Sequence, residues 1–231
     1  MGSLASPPPM GSTPQSLHTA TFVIVDTETT GSSAAYHQLT EIAALKVRGG
    51  EVLGHFRSLI WGASPTPGFI IALTGITDAM RRSAPDEADV VAAFGNFLGD
   101  AVVVGHNLGF DLGFLNAAMV RETGQVIGNQ TIDTLRLARR LLRNEVENFK
   151  LATLARYLCL RPPSHRALCD VLATAALLDE LIGRLGSYGV RTLGELEQFN
   201  GPLRSHRARS PAFISARQTP ATQPTTPGLR R

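Results

Sequence analysis

The pattern of apolar and polar positions predicts an α/β body whose first element is a short buried strand. Phe22 to Val25 is a continuous apolar, β-branched run, which is typical of a strand covered on both faces. Leu39–Arg48 alternates as a second strand, and Gly49-Gly50 predicts a two-residue turn into a third strand at Glu51–Ile60. Three such strands in succession should form an antiparallel meander.

The second half of the body alternates short apolar strands with amphipathic helices. Strands are predicted at Ala101–Val104 and Gln130–Ile132, and helices at Asp86–Leu98 and from about His165 to Leu185. The apolar stripe of the last helix consists of Val171, Ala175, Leu178, Ile182 and Leu185. Strand–helix–strand crossovers added to the meander predict a mixed five-stranded sheet flanked by helices.

Composition divides the chain into a central body and two polar ends. Residues 1–18 are rich in Ser, Pro, Gly and Thr, residues 201–231 are rich in Arg and Pro, and both are expected to be disordered tails. The body should cover 19–187, followed by a short helical connector at 188–200. The chain carries +3, but its last 31 residues hold six Arg and no acid, so the rest carries −3. A basic tail could contact phosphates or simply keep the protein in solution.

Membrane and secretory signals are missing from the sequence pattern. No apolar run approaches the roughly 18 residues of a membrane span, and no basic start precedes an apolar run at the N-terminus. Cys159 and Cys169 fall in helical patterns without a ligand cluster, and we expect them to be reduced core residues. These features predict a cytoplasmic protein that does not associate with a membrane.

Acidic residues stand where the predicted elements begin or end. Asp26 and Glu28 are two apart at the end of the first strand, so their side chains share a face. Neighbouring buried carboxylates are costly unless a proton or a cation compensates them. Asp111 opens the helix after the fourth strand, and His165 and Asp170 begin the last helix. Because ligands bind beyond the carboxyl ends of strands in such sheets, we expect a four-carboxylate metal site with a nearby base. A strand running into an acidic turn is the alternative.

Three motifs resemble those of a known enzyme family. They are Asp-Thr-Glu-Thr-Thr-Gly at 26–31, His-Asn-x-x-Phe-Asp at 106–111 and His-Arg-Ala-Leu-x-Asp at 165–170. They are similar to the motifs of the DEDDh, or DnaQ-like, 3′→5′ exonucleases, the group of the proofreading epsilon subunit of bacterial DNA polymerase III. The resemblance covers roughly residues 20–185 and implies an RNase H-like fold and release of nucleoside 5′-monophosphates. Gly189 to Leu196 also resembles a connector that joins this exonuclease to a UvrC-like nuclease domain.

The resemblance implies a role for each motif residue. Asp26, Glu28, Asp111 and Asp170 would hold two divalent ions, Mg²⁺ or Mn²⁺, and His165 would deprotonate the attacking water. Less firmly implied are residues that bind the terminal nucleotide, with turn formation or core packing as alternatives. These are Thr29, Thr30, Leu73, Thr74 and Phe110.

The expected substrate is a DNA 3′ end, single-stranded or frayed, in proofreading or DNA repair. A replicative polymerase or a repair protein would then be the partner. Two other functions stay open at this point: an RNA-directed exoribonuclease of the same superfamily, and a non-catalytic nucleic-acid-binding or polymerase-scaffolding module. The sequence does not reveal a preference for the 2′-hydroxyl. The complete set of five motif residues argues against the non-catalytic module.

Overall fold

Five strands form a mixed sheet in the order β3-β2-β1-β4-β5 in the computed structural model, which describes residues 15–62, 64–164 and 166–200. The central strand β1 pairs antiparallel with β2 and parallel with β4, while β3 and β5 form the two edges. The predicted mixed five-stranded sheet is confirmed. The strands are β1 (Thr21–Thr29), β2 (Leu39–Arg48), β3 (Glu51–Leu59), β4 (Val102–Gly105) and β5 (Thr131–Asp133).

Helices cover both faces of the sheet. Along the described residues they are α1 (Gly68–Thr74), α2 (Asp78–Arg81), α3 (Glu87–Leu98), α4 (Gly109–Thr123), α5 (Thr134–Leu141), α6 (Leu151–Tyr157), α7 (Ala167–Leu185) and α8 (Leu193–Asn200). The helices α3 and α4 pack on one face, and α5, α7 and α8 pack on the other. This arrangement leaves the carboxyl end of β1 between two helical layers.

The alternation of side chains along β1 explains why Phe22 to Val25 form a continuous apolar run. Phe22 and Ile24 point into the core under α5 and α7, whereas Val23 and Val25 point into the core under α3 and α4. Each of these four side chains is at most 3% exposed. Burial of a large aliphatic side chain contributes about 1.5–3 kcal/mol, so this strand anchors both halves of the core.

The predicted turn between β2 and β3 is confirmed. Gly49 has a φ of +57° and Gly50 a φ of +84°, a left-handed conformation that favours glycine. The stripe predicted for the last helix is confirmed, because Val171, Leu178 and Leu185 lie in the core and Ala175 and Ile182 pack against it, but further α7 side chains are buried as well. The helix α7 packs against β1, β2, α5 and α6 together, so its buried surface is wider than one stripe.

The packed body extends further at both ends than the composition predicts. Leu17 is 3% exposed and its N–H donates to the carbonyl of Arg191, so the described chain already belongs to the core two residues before Thr19. Val190 and Leu196 are buried in the same core, so the helical 188–200 segment packs onto the body. The remaining parts of the two predicted tails, 1–14 and 201–231, lie outside the described residues.

The two cysteines occupy different environments. Both are free thiols, but Cys159 is exposed and follows α6 with a φ of +55°, so its prediction as a core residue is wrong. A helical pattern does not reveal that α6 ends before this position. Cys169 is half-buried in the first turn of α7. Within the described residues, every helix is too short or too polar to cross a bilayer.

Candidate metal centre and nucleotide pocket

Three carboxylates meet at the carboxyl end of β1. Asp26 and Glu28 lie on one face of the strand, and Asp170 comes from the first turn of α7, which covers that face. One carboxylate oxygen from each residue lies within 4.8 Å of the other two. Because metal–oxygen bonds are about 2.0–2.6 Å long, oxygens on opposite sides of one cation are about 4–5 Å apart. The three carboxylates therefore fit a divalent cation.

Asp111 approaches from the opposite face of β1. It lies in the first turn of α4 and is 4% exposed. Its Oδ1 accepts hydrogen bonds from the Thr27 N–H at 2.9 Å and from the Thr27 hydroxyl at 2.8 Å. The side chain of Thr27 alternates away from those of Asp26 and Glu28. The strand thus carries two carboxylates on one face and, through Thr27, hydrogen-bonds a third carboxylate on the other face.

Burial and repulsion between carboxylates raise the pKa values of Asp26, Glu28 and Asp111. Together with Asp170, we call these residues the acidic cluster. The pKa of Asp26 lies well above its usual range, first because of burial and then because of the charges of Asp111, Asp170 and Glu28. Burial and the charge of Asp170 raise the pKa of Glu28 to about 8. Burial raises the pKa of Asp111 to about 7, although the hydrogen bonds from Thr27 oppose that rise. Without a cation the cluster therefore retains protons near neutral pH.

A fifth carboxylate, Glu41, lies next to this cluster and belongs to no sequence motif. It is fully buried on β2 directly opposite Glu28 in the strand register. Its Oε1 accepts a hydrogen bond from Arg57 Nε at 2.7 Å, and Arg166 Nη2 lies 3.9 Å from the same oxygen. The charge of Glu41 contributes to the raised pKa values of Asp26 and Glu28. The hint in the sequence is an acid that directly precedes the apolar run Ile42 to Leu45 of β2.

A pocket of about 410 Å³ opens beside Glu28 and between β1, α1 and α4. Leu73 and Phe110 lie on its wall and are 50% and 37% exposed, so both can contact a ligand. The ring of Phe110 packs on Phe114 with centroids 5.1 Å apart, so it is supported from behind. Thr29 and Thr74 line the same pocket. Four of the five predicted nucleotide-binding residues are thus brought together.

Thr30 is the exception, because its polar atoms are used inside the protein. Its N–H donates to the Gln38 carbonyl at 2.9 Å, and its hydroxyl accepts from the Gln38 N–H at 3.0 Å. It does not line the pocket, so turn formation describes Thr30 better than nucleotide binding. The hydroxyl of Thr29 donates to the carbonyl of Gly31 at 2.6 Å.

The ring of His37 completes the wall of this pocket, which sequence reasoning missed because the residue has no motif. It packs directly against Gly31, where an added Cβ would lie 2.2 Å from His37 Cδ2. Glycine is therefore needed at position 31 for close approach of the ring. The ring is held in place by a contact of Nδ1 with the Ser33 carbonyl at 3.1 Å.

His165, the predicted base, lies outside the described residues. The Ser164 N–H donates to Asp170 Oδ1 at 2.9 Å, and the Arg166 guanidinium lowers the pKa of Glu28. The chain before and after position 165 is therefore at the acidic cluster. A base at this position remains a prediction.

On the expectation of a nuclease that the motifs raise, replacing Thr27 by Val should lower the rate of hydrolysis about tenfold while the fold is kept. The change removes the hydroxyl that holds Asp111 but keeps the backbone N–H, and a hydrogen bond to a charged group is worth about 1.5–3 kcal/mol. Steady-state hydrolysis of an oligonucleotide by the parent and Thr27→Val proteins measures the loss. Thr21→Val on the same strand, away from the cluster, is the matched control. An equal loss in both variants would contradict a role for Thr27 at Asp111.

A family model described as exonuclease, the RNase T type, matches residues 23–178. This match spans the sheet, the acidic cluster and most of α7. The chain therefore belongs to the RNase T exonuclease family, and the resemblance to the DnaQ-like DEDDh enzymes is confirmed.

Curated relatives place similar domains in much longer proteins. A protein of Mycobacterium tuberculosis named as a bifunctional exonuclease/endonuclease is 45% identical over 192 residues, which cover 80% of this chain and 30% of the relative. The PolC-type DNA polymerase III of Bacillus subtilis is 38% identical over 197 residues, which cover 84% of this chain and 14% of the relative. The chain thus spans less than a third of these relatives. The name of the Mycobacterium tuberculosis relative combines an exonuclease with an endonuclease. The segment Gly189 to Leu196 resembles a connector between an exonuclease and a second nuclease domain.

Solved structures share the fold. Escherichia coli exonuclease I in complex with a dT13 oligonucleotide has a TM-score of 0.65 at 22% identity, over 74% of this chain and 42% of that chain. Exonuclease X in complex with 5′-overhanging duplex DNA has a TM-score of 0.60 at 27% identity, over 78% of this chain and 99% of that chain. These matches support the RNase H-like architecture that the motifs imply.

Proposed function

We propose that this chain is a metal-dependent 3′→5′ exonuclease that removes nucleoside 5′-monophosphates from DNA ends. The observation that carries this proposal is the convergence of carboxylates from β1, α4 and α7 beside an open pocket of about 410 Å³. A scaffolding module would not need several partly protonated carboxylates at one point, because such a cluster costs stability. The cluster is best explained by a cationic cofactor.

The all-oxygen donor set suits oxygen-seeking ions, and we propose two of them. Asp26, Glu28 and Asp170 would hold the first ion, and Asp26 together with Asp111 would hold the second. Carboxylate oxygens without sulfur or nitrogen donors suit Mg²⁺ or Mn²⁺. Two such ions would stabilise both the attacking and the leaving oxygen of an in-line displacement.

His165 would act as the base in this reaction. An unperturbed imidazole titrates near neutral pH, so the residue can take a proton from the water that attacks the terminal phosphodiester. The new bond joins the water oxygen to phosphorus, and the 3′ oxygen of the preceding nucleotide leaves and gains a proton. The products are a nucleoside 5′-monophosphate and a strand shortened by one nucleotide.

The pocket would position the terminal nucleotide for this reaction. Leu73 and Phe110 offer exposed apolar surface beside Glu28, and Phe110 can stack on a base. We favour DNA as the substrate because the PolC relatives are named DNA polymerases and because exonuclease X was solved with DNA. Proofreading or repair beside a polymerase or a repair protein is the corresponding setting.

A single hydrolysis experiment tests the proposal. The protein is incubated with single-stranded, 3′-recessed and mismatched DNA and with matched RNA, in Mg²⁺, Mn²⁺ or chelator. We expect metal-dependent release of mononucleotides from DNA, because the cluster lacks a compensating cation in chelator. Chromatography of the products measures the rate, and His165→Ala should lower it by about 10²–10⁴-fold, the usual contribution of a positioned base.

His55→Ala is the matched control, since His55 lies on the edge strand β3. Faster release from RNA than from DNA would favour the exoribonuclease alternative. Good DNA binding without hydrolysis of any substrate would instead favour the scaffolding module.

A further inference from the structure

A second and larger cavity meets the acidic cluster on the side of α5 and α6. Its volume is about 890 Å³, more than twice that of the nucleotide pocket. Asp170 lines this cavity, so the cavity reaches the acidic cluster. We call it the basic groove and define it by Asn107, Arg139, Asn148, Lys150 and Asp170.

The groove is lined by two basic side chains, Arg139 and Lys150. Arg139 on α5 and Lys150 before α6 are both exposed, and neither forms an ion pair with another described residue. Glu147 also lines the groove, but its carboxylate pairs with Arg156 at 2.9 Å. Asp170 is one of the candidate ion ligands. The part of the wall that carries Arg139 and Lys150 therefore favours an anionic ligand.

The ring of His106 holds together two segments that line the groove. Its Nε2 lies 2.9 Å from the Phe149 carbonyl, and its Nδ1 lies 3.0 Å from the Thr134 hydroxyl. The ring thus ties the segment before α6 to the start of α5. Phe149 itself packs against the hydrophobic core. Arg139 and Lys150 are consequently presented from two supported elements.

The two cavities differ in charge. Both have partly apolar walls, but Arg139 and Lys150 line the groove, whereas the residues that line the nucleotide pocket include no Arg or Lys. They meet at the acidic cluster, the place where the terminal phosphodiester would lie. A strand whose last nucleotide fills the pocket must leave the cluster in another direction, and the groove offers the complementary charge.

We infer that the basic groove binds the phosphodiester backbone of the strand on the 5′ side of the terminal nucleotide, through Arg139 and Lys150. This inference rests on the proposed exonuclease function. The volume of the groove leaves room for more than one nucleotide, so its contacts are available to an oligonucleotide and not to a mononucleotide ester. Phosphates are common to DNA and RNA, so the contact by itself does not select between them.

Two substrates of different length distinguish an effect on binding in the groove from an effect on the hydrolysis step. The ratio of kcat/KM for a dT12 oligonucleotide to that for the p-nitrophenyl ester of thymidine 5′-monophosphate is measured in Mg²⁺. We expect the double variant Arg139→Ala/Lys150→Ala to lower this ratio at least tenfold, mainly through KM for dT12. Arg136→Ala is the control, because Arg136 is exposed on the same helix but does not line the groove. An unchanged ratio, or an equal fall in the control, would overturn the inference.

Binding gives a second readout that does not require catalysis. Fluorescence anisotropy with labelled dT12 and matched U12 in chelator, at several salt concentrations, measures affinity and its salt slope. Each phosphate neutralised on a single strand contributes about 0.7 to this slope, so losing two cations should reduce it by about 1.4 for both oligonucleotides. An unchanged slope would count against the groove. Failure of the parent to cleave either substrate would reject the proposed function, and the slope would still decide whether the groove binds nucleic acid.

Discussion

Replacing Asp26 by Asn should reduce mononucleotide release by at least about a thousandfold. In the proposed mechanism Asp26 would hold one ion with Glu28 and Asp170 and a second with Asp111, so the change would weaken both proposed sites. A bound ion contributes several kcal/mol of transition-state stabilisation, and each 1.36 kcal/mol is tenfold in rate. Initial rates on single-stranded DNA in Mg²⁺ measure the loss.

A matched change on α7 controls for charge alone. Asp179→Asn removes one negative charge from an exposed position on the helix that carries Asp170, and it should keep nearly the full rate. DNA binding in chelator should survive in both variants. Cleavage by purified Asp26→Asn protein at the parental rate would rule out the acidic cluster as the reaction centre.

In chelator, the parent protein should become less stable as the pH rises from about 6 to 9. Glu28 and Asp111 have folded-state pKa values of about 8 and about 7, well above the ordinary values of unfolded carboxyl groups near 4. Their contribution to the free energy of unfolding is therefore fully present below about pH 4 and is lost as the pH rises through about 7–8. Carboxylates with lowered pKa values, such as Glu145, change stability only at lower pH.

Thermal unfolding at pH 6 and pH 9 tests this dependence. The melting temperature should fall by several degrees in chelator, since 1 kcal/mol shifts it by about 2–4 °C in a protein of this size. Mg²⁺ should restore it at pH 9 by binding the ionised cluster. Asp26→Asn should melt no lower than the parent at pH 9 in chelator and should gain much less from Mg²⁺, whereas Asp179→Asn should behave like the parent. A clear drop for Asp26→Asn under these conditions would show that the cluster is not mutually repulsive.

The parts of the site that follow from local sequence were predictable. Asp26 and Glu28 share a face because they are two apart on a strand. Asp111 lies in the first turn of the helix that follows β4, the strand beside β1. Asp170 was harder to place, because five residues along the predicted helix would not put it on the same side as His165. The structure brings Asp170 in because α7 packs across β1 and β2.

The remaining parts depend on contacts between distant segments. Glu41 lies opposite Glu28 only because of the β1–β2 register, and that register shifts between Glu28 and Thr29. The Thr27–Asp111 bond joins residues 84 positions apart, so no local pattern indicates it. The early start of the body has the same cause, because Leu17 is buried through contacts with the segment before α8.

The unequal lengths of the central strands make the catalytic layout sensitive to the smallest change in chain length. The parallel pairing of β1 with β4 covers Phe22 to Ile24, whereas the pairing with β2 runs on to Thr29. One residue inserted or deleted in β1 after Ile24 would turn each later side chain of the strand to the opposite face of the sheet. Thr27 would then face α7, and Asp26 and Glu28 would face α4. The strand from Phe22 to Glu28 can therefore vary by substitution but not in length.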